Sequence, residues 1–533
     1  MLNIICFVLG LGIPLFLFLF RRKWIAYYLI GTCFFTEFYY INVGGGKVRF
    51  YHLASIVIIL ALYKYWQQLF RKSQVWLLVA FVGFALLSAL ISDSRGGAVK
   101  SWLSLILNAG VAIALLLLLQ AEYITLNKLK QTVCYCVIGA CVFGIFQYLA
   151  VFFLKTNIGL SWEQQSQIAI GMIPAFRTEA NVFGRSLLIM MFLLLPDLIM
   201  KKEKISGLHI MYILGVFCTL INMTRTVLYP AFVVLIALMV YYIKKGYGKK
   251  YGKIILSLVV MLTVIIGMAS LHILPVADYT VYKWKAFVSP LKIDTGMLVE
   301  GSDEKVNVAE VEQGNVETFD ETIKDLYREQ IKEQMTNPPS TSIMDSSSTS
   351  MTDTPSTNMT DAPPANMADT PFANTEELIK ESDESLVSEQ EYNVKQVESK
   401  YDVSASYRIS NSIIILKSML ESPKIFIFGR GWGQTYFMIN NYATQAGAGD
   451  WGNVFAYVGI AGFAVYLCMT VNVLKVTLMK VLKDGSDVPT ALGILSGCII
   501  LGVAGFLSSN IIMPDFWMLI GMAAFLEKKD AKA

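Results

Sequence analysis

The stretch Ser101–Gln120, "SWLSLILNAGVAIALLLLLQ", runs 20 residues without one charged side chain. At about 1.5 Å of rise per residue, such a run makes a helix of about 30 Å, the thickness of bilayer hydrocarbon. Comparable apolar runs recur near 2–20, 24–43, 52–69, 75–92, 131–153, 183–200, 208–223, 227–243, 254–272, 453–474, 489–508 and 512–526. The chain of 533 residues is 55% hydrophobic and only 16% charged, with a mean hydropathy of +0.54. Soluble domains carry about a quarter charged residues. The pattern therefore predicts an all-α polytopic membrane protein with about 12–13 transmembrane helices.

Orientation follows from the basic residues. Arg21, Arg22 and Lys23 close the first run, which lacks the basic leader and small-residue cleavage site of a signal peptide. Arg71/Lys72, Lys128/Lys130, Lys201/Lys202/Lys204, the lysines from 244 to 253, Lys480/Lys483 and Lys528/Lys529 fall on that same side. The positive-inside rule makes this side cytoplasmic, which puts the N-terminus outside and the C-terminus inside. Lys47, Arg49, Arg95 and Lys100 fall on the other side, outnumbered.

The composition changes once. Roughly two dozen of the 40 acidic residues lie between Leu274 and Ser406, the signature of a solvated segment. Within it "SMTDTPST", "NMTDAPPA" and "NMADTPFA" repeat with a period of eight residues over Ser350–Ala373, too short and polar to bury a core. The organisation expected is a helix bundle over 1–272 (about ten spans), an extracytoplasmic loop over 273–452, and about three spans with a short cytoplasmic tail over 453–533. Within the loop, about 295–405 reads as a disordered spacer and about 408–422 as an amphipathic helix. In the latter Ile409, Ile413, Leu416 and Leu420 form one stripe, and Pro423 ends it. All eight cysteines fall in apolar runs, so neither a disulfide framework nor a zinc site is indicated.

Soluble-enzyme chemistry is not written here. The stretch "SPKIFIFGRGWGQTYF" (422–437) has alternating glycines, but no βαβ pattern surrounds it and no phosphate-loop lysine follows. The three histidines, at 52, 209 and 272, have no ligand spacing. No metal, cofactor or nucleic-acid partner is expected. What stands out is arginine at the outer ends of spans: Arg177 and Arg185 in "FRTEANVFGRSLL", with Glu179 and Asn181; Arg225 in "NMTRTVLYP"; then Arg408 and Arg430. An arginine inside hydrocarbon costs about 2.5–3.5 kcal/mol on insertion scales, so it faces a polar cavity or a partner. Together these guanidinium groups suit a diphosphate. Alternatives stand beside that reading. Arg185 can snorkel or pair with Glu179, Arg408 can simply begin the amphipathic helix, and Trp432 and Trp451 can belong to an interfacial aromatic belt.

Three stretches resemble the bacterial Wzy-type polysaccharide polymerases and O-antigen ligases. "RTEANVFG" (177–184) is similar to the family's Arg followed by a Glu-Pro-Asn-like element, and "TRTVLYPAFVVLIAL" (224–238) to its Ser/Thr-Arg at a helix mouth. "YRISNSIIILKSMLESPKIFIFGRGWGQTYF" (407–437) with "GNVFAYVGIAGF" (452–463) resembles the end of its long outer loop. Ala180 stands where proline is common, and Trp451-Gly452-Asn453 replaces a histidine-containing element of the ligases, which favours the polymerase branch.

The resemblance implies a GT-C-like glycosyltransferase in the bacterial plasma membrane. It would move a growing glycan from an undecaprenyl diphosphate carrier onto the next lipid-linked repeat unit at the outer face. A chain-length regulator and a flippase would be its partners. On this reading Glu179, Arg225 and Arg408 are catalytic, while Arg177, Asn181, Arg185, Arg430, Trp432 and Asn453 bind substrate. Ligase-type transfer to another acceptor is one rival. The other is a flippase or exporter of lipid-linked oligosaccharide, which would show paired repeats of spans and midplane polar groups.

Overall fold

The computed structural model describes residues 2–37, 40–43, 46–154, 156–169, 171–200, 207–222, 224–271, 412–413, 415–420, 422–434, 436–439, 442–445, 449–483, 485–506, 511 and 513–527. The acidic repeat region, Arg408 and most of the expected outer loop lie outside the described residues. So does the compositional break itself.

The protein is a helical multi-pass membrane protein. Seven helices are long and apolar enough to cross a bilayer. They are α5 (Ser73–Ile91), α6 (Arg95–Gln120), α7 (Leu126–Phe153), α9 (Ala180–Met200), α11 (Arg225–Lys244), α12 (Gly248–Ser270) and α14 (Gly449–Leu482). Six shorter apolar segments accompany them: α1 (Leu2–Phe20), α2 (Trp24–Phe34), α3 (Phe50–Ala61), α10 (Gly207–Asn222), α15 (Val488–Ala504) and α16 (Pro514–Leu526). Small helices α4 (Trp66–Leu69), α8 (Trp162–Ala169) and α13 (Pro423–Phe428) sit in connections.

The architecture is not purely helical. Two antiparallel hairpins interrupt it: β1 (Tyr40–Val43) with β2 (Gly46–Arg49), and β3 (Tyr436–Ile439) with β4 (Tyr442–Gln445). The first corrects the run expected over 24–43, because the helix stops at Phe34 and the chain turns back as a ribbon. The run expected over 52–69 is likewise an α3 that ends at Ala61, followed by a 3-10 turn (Tyr63–Tyr65) and α4. Tyr63, Tyr65 and Trp66 are apolar by composition but lie outside α3 and are half-buried to exposed.

α9 is the central helix, buried along 89% of its apolar window, and packs on α7, α10, α11 and α15. Lipid supplies no hydrophobic drive between helices, so close packing must, and small residues allow it. A Cβ at Gly493 of α15 would overlap the Leu193 carbonyl of α9.

Contacts between connections define two poles. At one, the loop pole, the Glu37 amide donates to Phe176 O at 3.1 Å, the Trp451 amide donates to Gly505 O at 3.4 Å, and Arg177 meets Asp515. At the other, the lysine pole, Glu527 accepts from the amide and hydroxyl of Ser73 at 2.9 and 2.6 Å. That carboxylate caps the first turn of α5, where the helix dipole favours a negative charge. Lys130 pairs there with Asp197 at 2.8 Å and donates to Thr490 at 2.8 Å.

The glycine-rich stretch 429–433 joins a break in α14. Gly459 has φ +64° inside that helix, and Gly429 has φ +81°. The break orphans carbonyls that hydrocarbon cannot satisfy. Ala456 O accepts from the Arg430 amide at 2.9 Å, and Tyr457 O accepts from the Gly431 amide at 3.2 Å. The two chains approach so closely that a Cβ at 429 would overlap Tyr457 O, and one at 459 would overlap Ile427 O. Trp432 then plugs the core between Phe81 and Tyr457, with ring centroids 5.7 and 5.1 Å apart. Pro423 does more than end a helix. It opens α13, with Ser422 Oγ accepting from the Ile425 amide at 3.1 Å. The helical residues 415–419 pack through Ile415 and Met419 against Ala456, whereas Leu416 and Leu420 of the expected stripe are exposed. Ile415 and Met419 lie four residues apart on one helical face, and the bundle takes that face.

Candidate functional site

The segment Ile173–Ser186 organises the loop pole. Several of its backbone groups are held by side chains from elsewhere. Asn222, the last residue of α10, accepts from the Ile173 amide at 2.7 Å and donates to Ile173 O at 2.9 Å and Ala180 O at 3.3 Å. Gln164 donates to Ala175 O and Arg177 O at 3.2 and 2.6 Å. Gln167 accepts from the Ala180 amide at 2.5 Å, which fixes the first turn of α9. These bonds tie the turn that leads into α9 to α8 and α10.

Arg177 is not an open cation. It is 3% exposed, and one terminal nitrogen donates to both Asp515 carboxylate oxygens, at 3.0 and 2.9 Å, and to Ser186 Oγ at 2.7 Å. Ser186 Oγ donates in turn to Asp515 at 2.6 Å. Its expected role in substrate binding is corrected to an internal ion pair: Asp515 already neutralises the charge inside the bundle.

A second ion cluster lies beside it. Glu37, with its side chain fully buried, accepts from Arg49 at 2.6 Å and from Thr178 Oγ1 at 3.0 Å, with Lys47 at 3.6 Å. Burial pushes the Glu37 carboxyl up, but the Arg49 charge and hydrogen bond, with Lys47 and Thr178, outweigh burial and hold it below its ordinary value. Two of the four basic residues that run against the orientation bias, Lys47 and Arg49, thus have a local acidic partner. Arg49 also starts α3, where its amide donates to His52 Nδ1 at 3.1 Å. That contact leaves the His52 Nε2 proton for Asn108 Oδ1, 3.2 Å away, which also accepts from Tyr51 at 2.9 Å.

The remaining expected residues fall into two groups. In the first, Gly184 packs directly against Val227, so α9 and α11 begin side by side. This brings Arg185 and Arg225 to one level of two neighbouring helices, Arg225 as the first residue of α11. Arg185 is 4% exposed and its Nε donates to Asn181 O at 3.3 Å. Asn181 Oδ1 is buried without a hydrogen-bond partner among the described residues. Glu179 is exposed at the mouth of the same turn.

The second group belongs to α13 and α14. Arg430 donates from Nη2 to Ser418 O at 3.4 Å, and its carbonyl accepts from Ser92 Oγ at 2.5 Å. Asn453 is buried in α14, and its Oδ1 has no hydrogen-bond partner among the described residues. Trp432 is packed into the core as described above, neither belt nor pocket wall, because Phe81 and Tyr457 cover it. α15 packs against α9 and α11 on one side and α14 on the other.

Glu37, Asp515, Asn222 and Gln164 were not singled out by sequence reasoning. Glu37 in "FFTEFYY" and Asp515 in "MPDFW" carry a usable signal, a single acid among apolar residues. Gln164 and Asn222 carry none. Comparisons of the chain with protein-family models, with curated proteins and with solved structures found no match.

Proposed function

We propose that the protein is a Wzy-type polymerase of lipid-linked glycan. It would extend surface polysaccharide at the outer face of the bacterial plasma membrane, with all thirteen apolar helices as crossings and the loop pole outward. The observation that carries the reading is the paired start of α9 and α11. Two helix N-termini, whose dipoles favour an anion, stand together, with Arg225 the first residue of α11 and no acidic residue in either first turn. This combination suits a diphosphate whose charge grows as the glycosidic bond breaks.

The acceptor hydroxyl oxygen attacks the anomeric carbon, and the bond from that carbon to the carrier phosphate breaks. Its electron pair leaves with the lipid diphosphate, and the hydroxyl proton passes to a base. Fixed cations stabilise the leaving charge without moving during the reaction. Arg225, with Arg408, is assigned to that task. Glu179, exposed at the mouth, is the assigned base. Buried Arg185 and the Asn181 carbonyl it holds keep the turn in register. A chain-length regulator and a flippase are the partners that the resemblance implies for such a polymerase.

The experiment is gel analysis of surface glycan and of lipid-linked intermediates in a strain lacking the protein. A polymerase leaves single repeat units on the carrier and no ladder. Normal ladders would discard the reading. Loss of all lipid-linked units from the outer leaflet would point to export, and a full-length polymer never passed to its acceptor would point to ligation.

A further inference from the structure

We propose that the α11–α12 hairpin, with the groove beside it, is a binding site for an anionic glycerophospholipid of the leaflet at the lysine pole. It is separate from the loop-pole site and does not rest on the proposed function. A cavity of about 330 Å³ lies between α9, α10, α11 and α12, lined by Leu195, Tyr212, Leu235, Met239, Tyr251 and Ile255 among others. Its wall is almost wholly apolar, with hydroxyls only from Tyr212, Thr219 and Tyr251 in the lining, so a hydrocarbon chain fits its chemistry better than a sugar or a diphosphate. α12 is open to lipid, since only 11% of its apolar window is buried.

The charge sits at one end of the same helices. Lys244, Lys245, Lys249, Lys250 and Lys253 are all exposed on the hairpin. From Arg225 to Leu271 the sequence of the hairpin contains no aspartate or glutamate, so the hairpin itself is strongly cationic. Lys250 reaches back to Ile199 O at 3.0 Å, which anchors the hairpin to the end of α9. Tyr251 lies between these lysines in sequence and also lines the groove, with its hydroxyl donating to Leu235 O at 2.5 Å. On α12 the groove runs from Tyr251 to Leu262. That span is about 16 Å at 1.5 Å per residue, close to half of the roughly 30 Å hydrocarbon layer. A chain that enters beside the lysines therefore has one leaflet of length to fill, with its headgroup among the cations. A zwitterionic lipid would gain the groove but nothing from the lysines.

The test uses the full chain in detergent, titrated with dioleoyl phosphatidylglycerol or dioleoyl phosphatidylcholine and read by native mass spectrometry. Wild type should retain phosphatidylglycerol at least tenfold better than phosphatidylcholine. The surface variant K244Q/K245Q/K249Q/K253Q should abolish that preference while leaving phosphatidylcholine retention unchanged. Ile255→Trp, which fills the groove, should reduce retention of both lipids. Equal retention of the two lipids by wild type, or a preference that survives the lysine variant, overturns the proposal. Retention unaffected by a folded Ile255→Trp would remove the groove from it. If that variant fails to fold, the lysine variant decides alone, because its substitutions lie on the surface.

Discussion

Arg177 and Asp515 stand 338 residues apart in the chain and meet at 2.9 Å in the interior of the bundle. The contact ties the turn before α9 to the first turn of α16, so the C-terminal helices complete a segment that opens in the first half of the protein. Asp515 also takes the Ser186 hydroxyl, which leaves the carboxylate fully engaged on that side. Breaking such a pair leaves a buried, uncompensated charge.

Asp515→Ala is expected to destabilise the protein by about 3–5 kcal/mol, the range for stripping one member from a buried pair. The melting temperature in detergent, followed by size-exclusion fluorescence, checks it. The double variant Arg177→Met with Asp515→Leu should recover most of the loss, since no charge then remains inside. A double variant no more stable than Asp515→Ala would mean that the pair does more than neutralise itself.

The junction of Gly429 with Gly459 gives a second test. Both residues have positive φ, and at each a methyl group would overlap a carbonyl oxygen of the opposite chain. Gly429→Ala should cost about 1–3 kcal/mol from backbone strain alone, and more from the overlap. Gly485→Ala, exposed with nothing within 4 Å of the added Cβ, is the control and should leave the melting temperature unchanged. Equal melting temperatures for the two variants would refute the junction as a constraint.

Which parts of this fold were readable follows from the range of each signal. Hydropathy is local, and each apolar run of the sequence holds a helix. The ends of α2 and α3 were misjudged because phenylalanine, tyrosine and tryptophan fill ribbon and turn as readily as helix. The break at Gly459 was invisible because its remedy, the amides of Arg430 and Gly431, comes from a different part of the chain. The same holds at the loop pole. Arg177 was visible as a cation at a helix mouth, but its owner Asp515 was not, so a paired arginine read as an open one. Trp432 read as a surface aromatic because sequence does not reveal that Phe81 and Tyr457 cover it. Arg185 and Arg225 stand out in the sequence by their placement alone, and Gly184 against Val227 brings the starts of their two helices together.

The Glu37 cluster makes stability depend on pH in a stated direction. The folded carboxyl titrates below its ordinary value near 4.5, so the unfolded chain binds the proton more readily. The stabilisation is present above the unfolded value and disappears as pH falls below about 4.5 through the folded one. Melting temperature should therefore drop more steeply for wild type than for Glu37→Gln between pH 6 and pH 3.5 (window set around the ordinary carboxylate value). Parallel curves for the two proteins would assign the acid sensitivity to other groups.

The sharpest test of function compares two arginines that the sequence presents as equals. Arg177 is engaged inside the bundle, so Arg177→Ala should lower the amount of folded protein and reduce glycan ladders only in proportion to that loss. Arg225 opens α11 at the loop pole, where its role is assigned to the leaving diphosphate. Arg225→Ala should leave folded protein at wild-type levels and still remove long glycan chains, with single repeat units accumulating on the lipid carrier. Loss of one hydrogen-bonding cation at a developing charge typically lowers turnover by about 10²–10³, enough to erase a ladder on a gel. Arg225→Lys separates charge from geometry: partial chains would show that a point charge suffices, and none would show that the guanidinium fork is needed. Normal ladders in Arg225→Ala with normal protein levels would end the assignment of this residue to the reaction.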